Sequence, residues 1–151
     1  MPYTYEYPHP AVTADAVIFT VDQDDVKVLL IKRAHYPDEG KWAIPGGFID
    51  IDEDLEDAAR RELEEETGLR DVEFLEQFHT FGKPDRDPRE RVITVAYYGV
   101  VPPDKTDVRA GDDAASAAWF SIQDLPELAF DHTVVLGMAY ERLRTSAHAT
   151  L

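Results

Sequence analysis

At 151 residues and 17.1 kDa, with 44% hydrophobic side chains, the chain has the size and apolar content of one folded domain and not of a disordered segment. It contains no cysteine, which excludes disulfides and thiolate metal sites and leaves oxygen or imidazole as the ligands for any metal. The formal net charge of −16, from 31 acidic and 15 basic residues, disfavours nucleic acid as a partner, and it would repel an anionic small molecule too unless a cation or an arginine cluster reverses the local potential.

The acid excess, with 18 Asp against 13 Glu, fits either a high-salt cytoplasm or a genomic base composition. Residues 1–10, Met1 to Pro10, read as the N-terminal arm of a single domain spanning 1–151. The arm lacks the basic start and apolar run of a signal peptide, and no segment approaches membrane-spanning length, so no membrane contact and a cytoplasmic location are expected.

From Ala11 to Val21 a β-rich run (Val12, Val17, Ile18, Phe19, Val21) predicts a strand, interrupted at Asp22-Gln23-Asp24-Asp25. Val26 to Arg33 resumes with Val28, Leu29, Leu30 and Ile31, a nearly continuous apolar segment that suits a central strand buried on both faces and paired with the first as a hairpin. A loop follows over 35–41. Trp42 to Ile44 is a short extended piece ending at Pro45-Gly46-Gly47, whose glycines permit close backbone approach. Asp50 at an N-cap with Glu53 three positions on, and Gly68 as the stop, bound one acidic helix. Further strands are predicted over 73–81, 91–101 and 118–121. Val135, Met138, Ala139 and Leu143 recur at helical spacing, giving a last helix over 131–145.

The acidic helix is the most informative element. Glu62, Glu65 and Glu66 stand at i, i+3 and i+4, on one face. Like charges so placed raise one another's pKa and weaken the helix, unless a hard divalent cation compensates them. A solvated acidic face is the plain alternative. A calcium loop on Asp50, Asp52 and Asp54 is not supported, because its sixth and twelfth positions hold Leu55 and Arg61 in place of Gly and Glu.

Gly47, Glu53, Arg61, Glu62, Leu63, Glu65, Glu66, Gly68 and Leu69 satisfy every fixed position of the pattern G-x5-E-x7-R-E-U-x-E-E-x-G-U, with U aliphatic. The stretch resembles the signature of the Nudix hydrolase superfamily, and the order of the other elements extends the resemblance to most of the chain. The resemblance implies an α+β fold, a mixed sheet sandwiched between helices. It also implies that Glu62, Glu65 and Glu66, with the main-chain carbonyl of Gly46, hold Mg²⁺ or Mn²⁺, two or more ions per site. Arg61 would orient a glutamate by ion pairing, and Glu53 would support the helix. Water would then attack a diphosphate. Its proton would pass to a helix glutamate, Glu62 or Glu65, or to a carboxylate of a later loop, Asp112 or Asp113; a polar turn is the alternative for those two.

Thr80 to Tyr98, with Pro84, and Leu128-Ala129-Phe130-Asp131-His132 resemble the ADP-ribose pyrophosphatase subgroup. The expected substrate is therefore ADP-ribose, giving AMP and ribose 5-phosphate. Alternatives are oxidised nucleoside triphosphates, dinucleoside polyphosphates or NADH. A coenzyme A substrate is disfavoured by Asp38, where that subclass has a second Arg. Arg33, Arg86, Arg89 and Arg91 are candidate phosphate contacts, although the last three could instead pair with Asp85, Asp87 and Glu90. Phe81 or Tyr36 is a candidate for stacking on adenine. A non-catalytic ADP-ribose sensor is the competing class; the retained carboxylates, and the roughly thirty residues after Trp119, too few for a winged DNA-binding domain, weigh against it. Tyr3, Tyr5 and Tyr7 suggest an arm that crosses to a second subunit in a homodimer.

Overall fold

Two long strands, β1 (Ala11–Asp22) and β2 (Asp25–Arg33), organise the computed structural model, which describes residues 2–111 and 114–146. The turn between them holds Gln23 and Asp24 at φ of 50° and 69°, the left-handed pair whose twist suits a two-residue hairpin. The two strands pair only from Phe19–Val28 to Asp22–Asp25, and then diverge. Into the gap fit β3 (Trp42–Ala43), paired with β2 at Ile31 and Lys32, and β4 (Gly46–Phe48), paired with β1 at Thr13, Ala14 and Asp15. The Pro-Gly-Gly segment is thereby wedged into the centre of the sheet.

On the far side of β1, β6 (Val92–Val100) runs parallel to it from Ala11 to Phe19, and β5 (Glu76–Phe81) closes that edge antiparallel to β6. β7 (Ala114–Ser121) pairs antiparallel with β2. Side chains alternate strictly along the central strands. Ala14, Ala16 and Ile18 meet Ala58, Ala59 and Leu63 of helix α1 (Leu55–Thr67) on one face. On the other, Val17, Phe19, Val28 and Leu30 meet Val135, Leu136, Ala139 and Leu143 of α2 (His132–Thr145). The mixed sheet thus lies between two helices, as expected. Among the described residues no helix is long and apolar enough to cross a membrane.

Three boundaries depart from expectation. The acidic helix starts at Leu55 with Asp54 as its N-cap, and Asp50 to Glu53 forms a turn ahead of it. Glu53 does reach back to the Asp50 N–H at 3.1 Å, but its carboxylate is also engaged by Arg61, which holds the turn outside the helix. β7 begins four residues earlier than predicted, at Ala114. Its Ala-Ala-Ser-Ala-Ala start has little β propensity, and the ladder to β2 supplies what propensity lacks. β5 begins at Glu76, not Glu73. The helix stop is as predicted: Gly68 sits at φ 78°, and its N–H donates to the Glu64 carbonyl at 2.8 Å.

Candidate active site

The acidic wall of a cleft of about 350 Å³ is built by β1, β4 and α1. Their junction needs glycine. A Cβ on Gly47 would lie 2.7 Å from the Glu62 carboxyl group, and one on Gly46 would collide with the Asp15 carboxylate and lie 2.7 Å from the Ala14 carbonyl. The Gly46 N–H donates to Glu66 Oε1 at 2.7 Å. Helix carboxylates and strand backbone therefore share one surface.

Three acids crowd that surface. Burial pushes the Glu66 carboxyl group up to about 8, against the opposing bond from Gly46 and with Glu62 and Asp15 adding to the rise. Burial likewise pushes Asp15 up to about 7, with Asp131 and Glu62 contributing, and raises Glu62. Such a set is costly without a cation. Arg61 supplies one on the outer side. It grips Glu53 through Nε at 2.7 Å and a second nitrogen at 3.0 Å, and reaches Glu62 at 2.8 Å and Glu65 at 3.2 Å. These bonds hold Arg61 above its ordinary pKa, the Glu53 bond most of all.

The donor chemistry fits a hard divalent ion: partly buried carboxylate oxygens, poorly compensated, beside the half-buried backbone of β4. Among the described residues, however, no three acidic or histidine side chains are already gathered at ion-holding spacing. Binding would require Glu62 and Glu65 to exchange part of their contact with Arg61 for the ion.

The lining also holds arginine and phenylalanine side chains. Arg33, at the end of β2, donates to the Pro37 carbonyl at 2.6 Å and lies 4.8 Å over the Phe130 ring. Arg89 forks onto Asp87 at 2.7 and 3.1 Å and lies 5.1 Å over Phe48. Burial, and then the charge of Arg89, lower the Arg33 pKa. Two repelling guanidiniums facing one cleft suit an anion. Phe130 adopts φ 52°, held there by its N–H bond to Asp38 Oδ2 at 2.9 Å.

Of the residues expected at the substrate, Arg33, Arg86 and Arg89 line the cleft. Arg86 is already committed, forking onto Asp131 at 2.8 and 2.9 Å and donating to the Thr94 hydroxyl. Phe81 is buried in the core on the α2 side, its ring 6.3 Å from that of Phe78, so the structure does not bring it to the cleft. Neither does it bring Arg91, which donates to the Gly82 carbonyl in an exposed position. Asp112 and Asp113 lie outside the described residues. Sequence reasoning missed Asp15 and Phe48, named Asp87 only as a pairing partner, which it is for Arg89, and did not connect Phe130 and His132 to the cleft that they line. A single signal pointed to Asp15, a lone charge inside the apolar run Ala11 to Val21.

The NUDIX domain family model matches residues 9–137. The ADP-ribose pyrophosphatase of Methanocaldococcus jannaschii is 42% identical over 131 residues, covering 86% of this chain and 73% of the relative. The ADPR responsive transcriptional repressor NtrR of Acinetobacter baylyi is 37% identical over 149 residues; the match covers 96% of this chain but only 59% of the repressor. Among solved structures, the NUDIX domain of Shewanella oneidensis NrtR complexed with ADP ribose superposes with a TM-score of 0.84 at 34% identity, covering 91% of this chain and 90% of that one.

Proposed function

The chain belongs to the Nudix family, and on that footing we propose that it hydrolyses the pyrophosphate bond of a nucleoside diphosphate derivative, ADP-ribose giving AMP and ribose 5-phosphate. The observation that carries the proposal is a cleft lined by both helix carboxylates and guanidiniums. Glu62 and Glu66 line the cleft together with Arg33 and Arg89, which suits a diphosphate held between bound cations and guanidiniums. The relative named ADP-ribose pyrophosphatase and the ADP ribose complex of a 34% identical domain support this substrate.

Glu62, Glu65 and Glu66, with the Gly46 carbonyl, would hold Mg²⁺ or Mn²⁺; when bound, such ions neutralise the diphosphate and make a water nucleophilic. The other tasks fall to the chain itself. Arg61 keeps Glu62 and Glu65 in place, Arg33 and Arg89 draw phosphate oxygens, and Phe48, 40% exposed, offers a face to the base. The water's proton passes to Glu62 or Glu65, or to Asp112 or Asp113, and the Gln and Asn variants of these four distinguish them. A cytoplasmic location and a homodimer belong to the same proposal. Exposed Tyr3, Tyr5 and Tyr7 support the dimer, and sedimentation with and without residues 1–10 tests it.

A second reading, an ADP-ribose-responsive binding module, is supported by the 37% identity to a repressor of which the chain spans 59%. One experiment separates the two. The protein is incubated with Mg²⁺ or Mn²⁺ and ADP-ribose, NADH, dinucleoside polyphosphates, nucleotide sugars and triphosphates, and the products are resolved by chromatography. Release of AMP from ADP-ribose is expected, falling roughly a hundredfold or more in Glu66→Gln. Tight ADP-ribose binding without turnover would replace the hydrolase by the module. Faster turnover of triphosphates would replace the substrate.

A further inference from the structure

Beside the helix carboxylates, two polar side chains that line the cleft are given no task in the mechanism above. Asp15 of β1 and His132 at the start of α2 are each 5% exposed, and both line the cleft. The His132 ring is oriented by the Ile44 N–H, which donates to Nδ1 at 3.0 Å. In the neutral ring Nε2 must then carry the hydrogen. Nε2 faces Asp15 Oδ2 at 3.6 Å, too far for a direct bond. Among the described residues, the Tyr98 hydroxyl is the one fully enclosed side-chain polar atom without a partner, so the free edges of Asp15 and His132 reach the cleft surface.

A donor beside an acceptor, set slightly too far apart to satisfy each other, matches a group that both accepts and donates. A hydroxyl does this, accepting from Nε2–H and donating to the carboxylate. A phosphate oxygen would meet the carboxylate of Asp15 as a like charge, and Phe130, whose ring lies 5.4 Å from that of His132, is already faced by both Arg33 and Arg89, which leaves Phe48 as the aromatic face for a base. We infer that the Asp15–His132 pair reads a hydroxyl of the sugar on the far phosphate, and so selects diphosphates that carry a second sugar. This rests on the diphosphate reading above.

The test titrates the full chain, with Mg²⁺ present, with two non-hydrolysable ligands whose bridging oxygen is a methylene: α,β-methylene ADP-ribose and α,β-methylene ADP. The unmodified protein should prefer the sugar-bearing ligand by roughly tenfold or more. Asp15→Ala should abolish that preference and Asp15→Asn should keep part of it. His132→Asn, which can still accept from Ile44 but withdraws the donor, should also lose it. In all three the readout is the ratio of the two affinities within one variant, which should fall toward one whatever the affinity for α,β-methylene ADP alone, with melting curves confirming the fold. Equal losses on both ligands, or a preference that survives Asp15→Ala, would mean that the pair merely braces the site, and would overturn the inference. So would equal affinities in the unmodified protein, although the diphosphate reading would stand. No binding or turnover of ADP-ribose at all would remove that reading and the inference together.

Discussion

Gly47 has no room for a side chain, because the position a Cβ would take is 2.7 to 2.8 Å from the carbon and both oxygens of the Glu62 carboxyl group. Gly47→Ala should leave the fold standing, since Glu62 can swing aside, but it should displace that carboxylate from Arg61. Turnover is expected to fall by roughly tenfold or more while the melting temperature changes little; unchanged kcat would separate Glu62 from the chemistry. The arginines make the opposite contrast. The Arg86 side chain is 5% exposed and forks onto Asp131, so Arg86→Ala strands a partly buried carboxylate and should cost about 3 kcal/mol. Arg91→Ala, at an exposed position with one bond to a carbonyl, should cost no more than about 0.5 kcal/mol. Urea denaturation of both variants checks the pair, and equal losses would contradict the assignment of Arg86 to the scaffold.

Helix α1 ends where Gly68 turns left-handed at φ 78°, and a Cβ there would also press on Arg109 Cγ at 3.3 Å. Gly68→Ala should therefore destabilise by about 1 kcal/mol or somewhat more, read as a lower urea midpoint at unchanged slope. This helix was legible in the sequence because everything that defines it is local: the carboxylate spacing, the Gly68 stop and the diglycine before it. The hairpin of β1 and β2 was legible too, from two apolar runs and a polar turn. What escaped was made by pairing across the chain. Asp15 becomes part of the cleft only because β4 inserts between β1 and β2 and sets Gly46 opposite it. Phe130 and His132 reach the same cleft only because α2 starts beside Ile44. Arg86 and Arg91 are indistinguishable along the chain; one finds Asp131, 45 positions on, and the other finds only a loop carbonyl. The same holds for Phe81, whose aromatic character suggested stacking but whose place on β5 puts it in the core.

At the scale of the molecule, the surface part of the net charge of −16 and the buried acids answer to different solvent conditions. Asp15 and Glu66 titrate at about 7 and 8 in the fold, above their ordinary 3.8 and 4.5, because burial penalises their charged forms. Their contribution to stability is complete below those ordinary values and is lost as pH rises through the folded ones. His132 works in the other direction. Burial lowers it from 6.5 to about 4, so the native state gains stability as pH rises between those two values and nothing further above 6.5. Only losses remain from pH 6.5 to 8, amounting to a few kcal/mol at most. In buffer free of divalent ions the melting temperature should fall across that interval. Millimolar Mg²⁺ should restore it more at pH 8 than at pH 6, where the acids are largely protonated and hold an ion poorly. Potassium chloride of equal ionic strength screens the exposed surface charge but reaches the buried acids weakly, so its effect should differ little between the two pH values. Scanning calorimetry over this grid decides the matter: a melting temperature that is flat or rising from pH 6.5 to 8 without metal, or equal magnesium gains at both pH values, would show that the acidic wall does not need the cation its burial implies.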